Sequence, residues 1–258
     1  MSVRSTHLTR LLRTTASASV LALAAACDSA ERATAPSHDA AGVRNPTREV
    51  FLPVGPIIPC VDSIFKADFT FDALNAYPGT PTIGSWTGNQ SAGTIRVRGN
   101  VGWMFGMPVE LTQYAGLTGG VDLTGKIRCT SAPSTGVVVV DWRSLVHSAT
   151  VPSGAIVLRD DQSRILAAVE YRANGVLTFN GKSVLGLTWV KDVPNKFRIR
   201  LDLTGHKSSL YVDGVLRLAS IPFLQTSATN LWRIGMELGS TSAQSLAWDD
   251  ILAVRYVY

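Results

Sequence analysis

The stretch KFRIRLDLTGHKSSLYVDGVLRLASI, residues 196–221, decides the fold. Apolar side chains stand at alternate positions, Phe197, Ile199, Leu201 and Leu203, with Arg198, Arg200 and Asp202 between them. Successive side chains of an extended chain point to opposite faces, so this period of two describes a strand with one buried and one wet face. Leu210 and Val212 carry the inward phase onto a second strand, and Tyr211 falls in the outward one. The short turn around Gly205 and His206 should pair the two. Asp213-Gly214 then turns the chain again, because both residue types accept the positive φ of a tight hairpin loop. Sliding either strand by one residue would carry Arg198 or Arg200 into the core, so the register is strongly constrained.

The same grammar extends in both directions. GAIVLRDDQSRILAAVEYRANGVLTFNGK, residues 154–182, reads as three strands, broken at Asp160-Asp161-Gln162-Ser163 and turned at Asn174-Gly175. TIRVRG (94–99), the β-branched run GVVVVDWRSLV (136–146), LWRIGMEL (231–238) and SLAWDDILAVRYVY (245–258) add further strand patterns. Frequent strands with polar turns and little helical periodicity point to a single all-β domain, an antiparallel sandwich or barrel.

The segment WVKDVPNKFRIRLDLTGHKSSLYVDGVLRLAS, residues 189–220, resembles the concanavalin A-like lectin/glucanase superfamily, especially its laminin-G-like members. In these a tryptophan precedes a strand of the form F-x-I-x-L-D, and an L-Y-V-D-G strand follows. FKADFTFDALNAYPGTPTIGSW (65–86) is similar to the first strand region and AWDDILAVRY (247–256) to the last. The resemblance spans roughly residues 62–258 and implies a two-sheet antiparallel jelly roll whose first and last strands pair. It also implies a possible structural Ca²⁺ clipping those strands, with Asp68, Asp72, Asp249 and Asp250 in the matching segments. Calcium takes six to eight oxygens, so carbonyls and water would have to complete that shell. The alternative is that these are turn and strand-end aspartates.

The superfamily includes laminarinase-type hydrolases, which carry E-x-D-x-E or E-x-D-x-x-E on one strand. Alternate residues share a face there, and a retaining mechanism needs two carboxyl groups about 5–5.5 Å apart. The glutamates of this chain, Glu31, Glu49, Glu110, Glu170 and Glu237, form no such pattern. The Q-I-H strand of alginate-lyase-like relatives and a G-x-S-x-G elbow are also missing. A cross-strand acid pair such as Asp141 with Glu170 stays open. For binding, the outward-phase residues Asp141, Arg143, Glu170, Arg172, Arg198, Arg200 and Tyr211 would line a groove if they share the concave sheet. Such a groove would suit a sugar or an acidic glycan. The plainer alternative is a solvated sheet face.

The N-terminus carries its own signal. Arg4, Arg10 and Arg13 precede the apolar run TTASASVLALAAA (14–26), which ends at Cys27. This is the layout of a secretory signal peptide, and it is too short for a transmembrane helix. It resembles a lipoprotein lipobox, with Ala24 where leucine is usual, and so implies acylation at Cys27. An ordinary cleaved signal is the alternative. Residues 1–26 are then the signal peptide, 27–59 a lipid-anchored spacer rich in Ala, Pro, Ser and Thr, and 60–258 the sandwich domain. Removing the leader leaves 21 basic against 19 acidic residues, where the whole chain has a net charge of +5. With no Lys/Arg run longer than two, nucleic acid is not an expected partner. In an oxidising compartment Cys60 and Cys129 are expected to pair, closing a loop worth roughly 4 kcal/mol. Two separate buried thiols are the alternative. The expectation is a non-catalytic exported lipoprotein of the cell envelope that presents a surface for glycan or an envelope protein and needs no cofactor. A divergent glycan-active hydrolase or lyase and a purely structural envelope lipoprotein are the alternatives.

Overall fold

The computed structural model describes residues 62–104, 106–149, 154–239 and 242–257. The chain forms β1 (Asp62–Ala67), β2 (Ser85–Gln90), β3 (Gly93–Val97), β4 (Val109–Gln113), β5 (Val121–Lys126), β6 (Val137–Ala149), β7 (Gly154–Arg159) and β8 (Ile165–Tyr171). After a 3-10 turn at Ala173–Gly175 come β9 (Val176–Phe179), β10 (Lys182–Thr188), β11 (Asn195–Asp202), β12 (Lys207–Val212) and β13 (Val215–Pro222). The last strands are β14 (Arg233–Leu238) and β15 (Gln244–Tyr256). No α-helix occurs among the described residues.

The strands form two antiparallel sheets. Sheet A runs β13-β12-β11-β6-β15-β4-β3, and β1 also pairs with β15. Sheet B runs β10-β9-β8-β7-β14-β5-β2. The fold is a two-sheet jelly-roll β-sandwich. Its first and last strands pair as expected, Asp62 opposite Arg255 and Ala67 opposite Ile251.

The 196–221 stretch takes the register its pattern demands. Phe197 faces Val212, Ile199 faces Leu210 and Leu201 faces Ser208, while β6 flanks β11 on its other side. Phe197, Ile199, Leu201, Leu210 and Val212 are all fully buried between the sheets. Trp142 stacks on Phe197 with ring centroids 5.1 Å apart, and Tyr171 of sheet B meets the same ring edge-on. A buried polar tie crosses the core. The Ser144 and Tyr171 hydroxyls lie 2.8 Å apart, and Trp142 Nε1 donates to Ser144 Oγ at 3.1 Å. Burial drives the Tyr171 pKa upward, so this hydroxyl stays a neutral partner.

The turns follow their chemistry, with one difference. Asp213 and Gly214 have φ of 51° and 79° and close the two-residue loop between Val212 and Val215. Asn174-Gly175 does not make such a loop. The chain forms the 3-10 turn there, with Arg172 N donating to Val176 O. The two-residue Asn-Gly loop is Asn180-Gly181, with φ of 49° and 73°, between Phe179 and Lys182. Asn180 fits because its buried amide also bonds Ala168 N, Pro222 O and Ser208 Oγ.

Candidate functional site

The outer face of sheet A gathers five of the seven residues expected to bind. Asp141 and Arg143 project from β6, Arg198 and Arg200 from β11, and Tyr211 from β12. Cross-strand register sets Arg198 between Asp141 and Tyr211, and Lys196 beside Arg143. Arg198 holds Asp141 with two parallel bonds, Nε to Oδ1 at 2.7 Å and Nη2 to Oδ2 at 3.0 Å. A hollow opens on each side of this pair. One, of about 230 Å³, is lined by Lys196, Arg198, Tyr211 and Gly214. The other, of about 430 Å³, is lined by Arg143, Lys196, Asp250 and Leu252. Asp141 and Lys196 border both. The ammonium of Lys196 and the guanidinium of Arg200 have no acid within ion-pair distance among the described residues.

The wall formed by β15 departs from regular pairing. Asp249 lies opposite Arg143 and Leu252 opposite Asp141, so three steps on β15 answer two on β6. Such a bulge needs a residue outside the ordinary strand region, and Asp250 takes it with φ of 53°. Both carboxylates then reach Arg143 Nη2, Asp249 at 3.2 Å and Asp250 at 2.7 Å. Asp249 is buried, and that desolvation raises its pKa to about 6, with neighbouring Asp250 and Asp68 adding to the rise. The backbone N–H of Asp250 and the charge of Arg143 oppose it.

Of the four acids that the resemblance implies for calcium, Asp249, Asp250 and Asp68 come near one another. Asp72 is turned away to accept Gly79 N at 3.0 Å, and Asp68 accepts Thr70 N at 3.2 Å. The cation that answers Asp249 and Asp250 is a guanidinium of the same chain. Among the described residues no group of three or more His, Cys, Asp or Glu side chains is placed to hold a metal ion.

Glu170 and Arg172 belong to the other layer, which corrects the single seven-residue groove. They lie on and just after β8 of sheet B, where Arg172 Nη2 and Thr178 Oγ1 both donate to Glu170 Oε2. A pair of Asp141 with Glu170 is ruled out by the same placement. Sheet B carries another acid pair that the sequence reading missed. Asp122 of β5 faces Glu237 of β14 directly, and the row continues through Ala155 to Glu170. Arg159 grips Glu237 with both terminal nitrogens, one bond measuring 3.0 Å. Gly235 leaves room for the pair, since a Cβ there would stand 2.5 Å from Glu237 Oε1. Partial burial, and secondarily Glu237, raises the Asp122 pKa, against hydrogen bonds from Asn89 and Thr124 and the charge of Arg159. Alternation in VDLTGK and RIGMEL marks each acid as outward, but nothing local says these strands are neighbours.

Cys27 and Cys60 lie outside the described residues. Cys129 sits half-buried after β5, against the core.

Comparison with solved structures places the fold in known company. The chain is similar to a sialidase at a TM-score of 0.58 and 12% identity, over 75% of this chain but only 18% of that one. It is similar to the catalytic domain of a glycoside hydrolase family 131 protein from Coprinopsis cinerea, with a TM-score of 0.53, 9% identity, and coverage of 76% and 95%. The cellulose-induced protein Cip1 matches at 0.50 and 16% identity, covering 73% of this chain and 96% of its own. At such identities the shared property is the two-sheet β-sandwich fold. No known family's sequence profile and no curated protein matches the chain.

Proposed function

We propose that this chain is an exported, lipid-anchored β-sandwich that holds a glycan against the outer face of sheet A without cutting it. The carrying observation is the pair of hollows flanking Asp141 and Arg198, with Lys196, Arg143 and Tyr211 as walls. Pockets that mix an apolar surface with a few fixed polar groups are what small ligands occupy, and the paired Arg198 and Asp141 are pre-ordered to meet hydroxyls. The carbohydrate-related proteins among the fold's neighbours support the same ligand class. Cys27 supplies the anchor in this reading, and residues 28–59 the spacer. The Cys60–Cys129 bridge belongs to it too, as the pairing expected of two thiols in an oxidising compartment. A glycan array probed with the purified chain, alongside a reducing-sugar release assay, tests the proposal. Retention of a glycan without new reducing ends is expected, with loss of retention in Arg198→Ala. An array without a hit, or full retention by that variant, overturns it.

A second reading, a glycan-cleaving enzyme, has one specific observation behind it: Asp122 stands opposite Glu237 on sheet B. Directly opposed strand residues bring their Cβ atoms within about 4.5–5.5 Å, so two carboxyl groups so placed can act on one bond. Asp122, whose pKa burial raises, would be the proton donor and Glu237, paired with Arg159, the carboxylate. Release of reducing ends by the wild type and not by Asp122→Asn would favour this reading.

A further inference from the structure

Five of the six tryptophans are buried or packed half-buried against the core, whereas Trp103 is 68% exposed. It is nonetheless held on a braced turn. Val101 and Met104 bridge to each other and bury themselves on Leu145 and Ala247, on the outer face of sheet A. Trp103 N donates to Asp192 O at 2.9 Å, and Asp192 N to Val146 O at 2.9 Å. Gly102 has φ of 55° and lies so close to Asp192 that a Cβ would stand 2.9 Å from its backbone. On the other side of the turn, Gly106 approaches Asp249 Oδ2, the partner of Arg143. The turn therefore stands at the Arg143 end of the larger hollow and shows an indole at its tip.

Along the rest of the face, β11 presents Lys196, Arg198 and Arg200 at every second position, about 7 Å apart at strand rise. Asp141 neutralises only the middle one. The site thus offers an aromatic face at one end and unanswered positive charge along its length.

We infer that the ligand of this site is a carboxylated polysaccharide, its acid groups met by Lys196 and Arg200 and one pyranose ring stacked on Trp103. The inference rests on the proposed glycan binding by sheet A and names the glycan's chemistry. The C–H face of a pyranose is weakly positive and complements the negative face of an indole. A carboxylate gains from fixed cations that have no competing acid, and such attraction weakens as salt screens it.

The test is calorimetric titration of the full chain with oligogalacturonate, oligomannuronate and hyaluronan oligomers, each against its methyl-esterified form. At least one free acid should bind roughly tenfold or more tightly than its ester, with affinity falling between 50 and 300 mM salt. Lys196→Ala with Arg200→Ala should abolish most of that preference and flatten the salt dependence. Trp103→Ala should weaken acid and ester alike by roughly three- to tenfold and leave the salt dependence intact. Equal binding of acid and ester, or of neutral array glycans alone, overturns the inference while the glycan reading stands. Undiminished binding by Trp103→Ala removes the platform. Absence of binding to every glycan, acidic or neutral, defeats both.

Discussion

Asp249 should make stability fall as pH rises through the mildly acidic range. Its carboxyl is buried on β15, with Asp250 and Asp68 near, and its pKa is about 6 against an ordinary value near 4. A folded-state pKa above the unfolded one means that the native state binds more protons between the two values. Stability therefore decreases from near pH 4 to just above pH 6 and levels off beyond. A displacement of about two pKa units corresponds to ~3 kcal/mol. Other carboxylates titrate in the same window, so the useful quantity is the difference between wild type and Asp249→Asn. The amide keeps the shape and leaves Arg143 its contact with Asp250 at 2.7 Å. Urea unfolding between pH 4 and 7 should show the variant gaining on the wild type by up to ~3 kcal/mol as pH rises. An offset that stays constant across that range would mean that Asp249 titrates normally, and would refute the desolvation argument.

Other expectations follow from the packing. Leu201→Ala should cost about 2–5 kcal/mol in urea unfolding, as a cavity in a packed core does, whereas Arg200→Ala should leave the midpoint almost unmoved; equal midpoints would contradict the face assignments. Gly235→Ala should cost less than about 1 kcal/mol, because the added methyl meets only the flexible ends of the Arg159–Glu237 pair, which can move aside, and a loss of about 2 kcal/mol or more would show that the pair is fixed in place. Cys27→Ala should abolish incorporation of labelled fatty acid and release the protein from membranes; unchanged detergent partitioning would remove the lipid anchor. Non-reducing peptide mapping should recover Cys60 joined to Cys129, and quantitative alkylation of both without reductant would exclude the bridge.

Phase along a strand was legible in the sequence, and layer was not. Phe197, Ile199 and Leu201 had to face inward because the alternative buries arginine, a constraint contained within eight residues. Asp213-Gly214 was readable for the same reason, since φ is a local property. Sheet membership is a property of distant partners. Glu170 has the same outward phase as Asp141, yet β8 pairs with β7 and β9 while β6 pairs with β11 and β15. Two Asn-Gly pairs lie within eight residues of each other, and propensity alone cannot rank them. Asn180 becomes the tight turn because its side chain fills a buried hydrogen-bonding position against β8 and the β12–β13 hairpin, which only the assembled sandwich supplies.

The bulge on β15 shows how one local irregularity shapes the candidate site. Strict alternation through Trp248, Asp249, Asp250 and Ile251 would put one aspartate into the core and leave Ile251 outside. The register shift at this point lets Trp248 and Ile251 both be fully buried while both carboxylates reach Arg143. Avoiding a buried, unpaired charge, which costs several kcal/mol, is reason enough for the bulge. Its consequence reaches across the sheet. With Arg143 engaged by two acids and Arg198 by Asp141, Lys196 between them keeps its charge unanswered. One of the two cations this face offers a ligand, Lys196, thus stays open beside a bulge that packs Trp248 and Ile251 and turns both acids to Arg143.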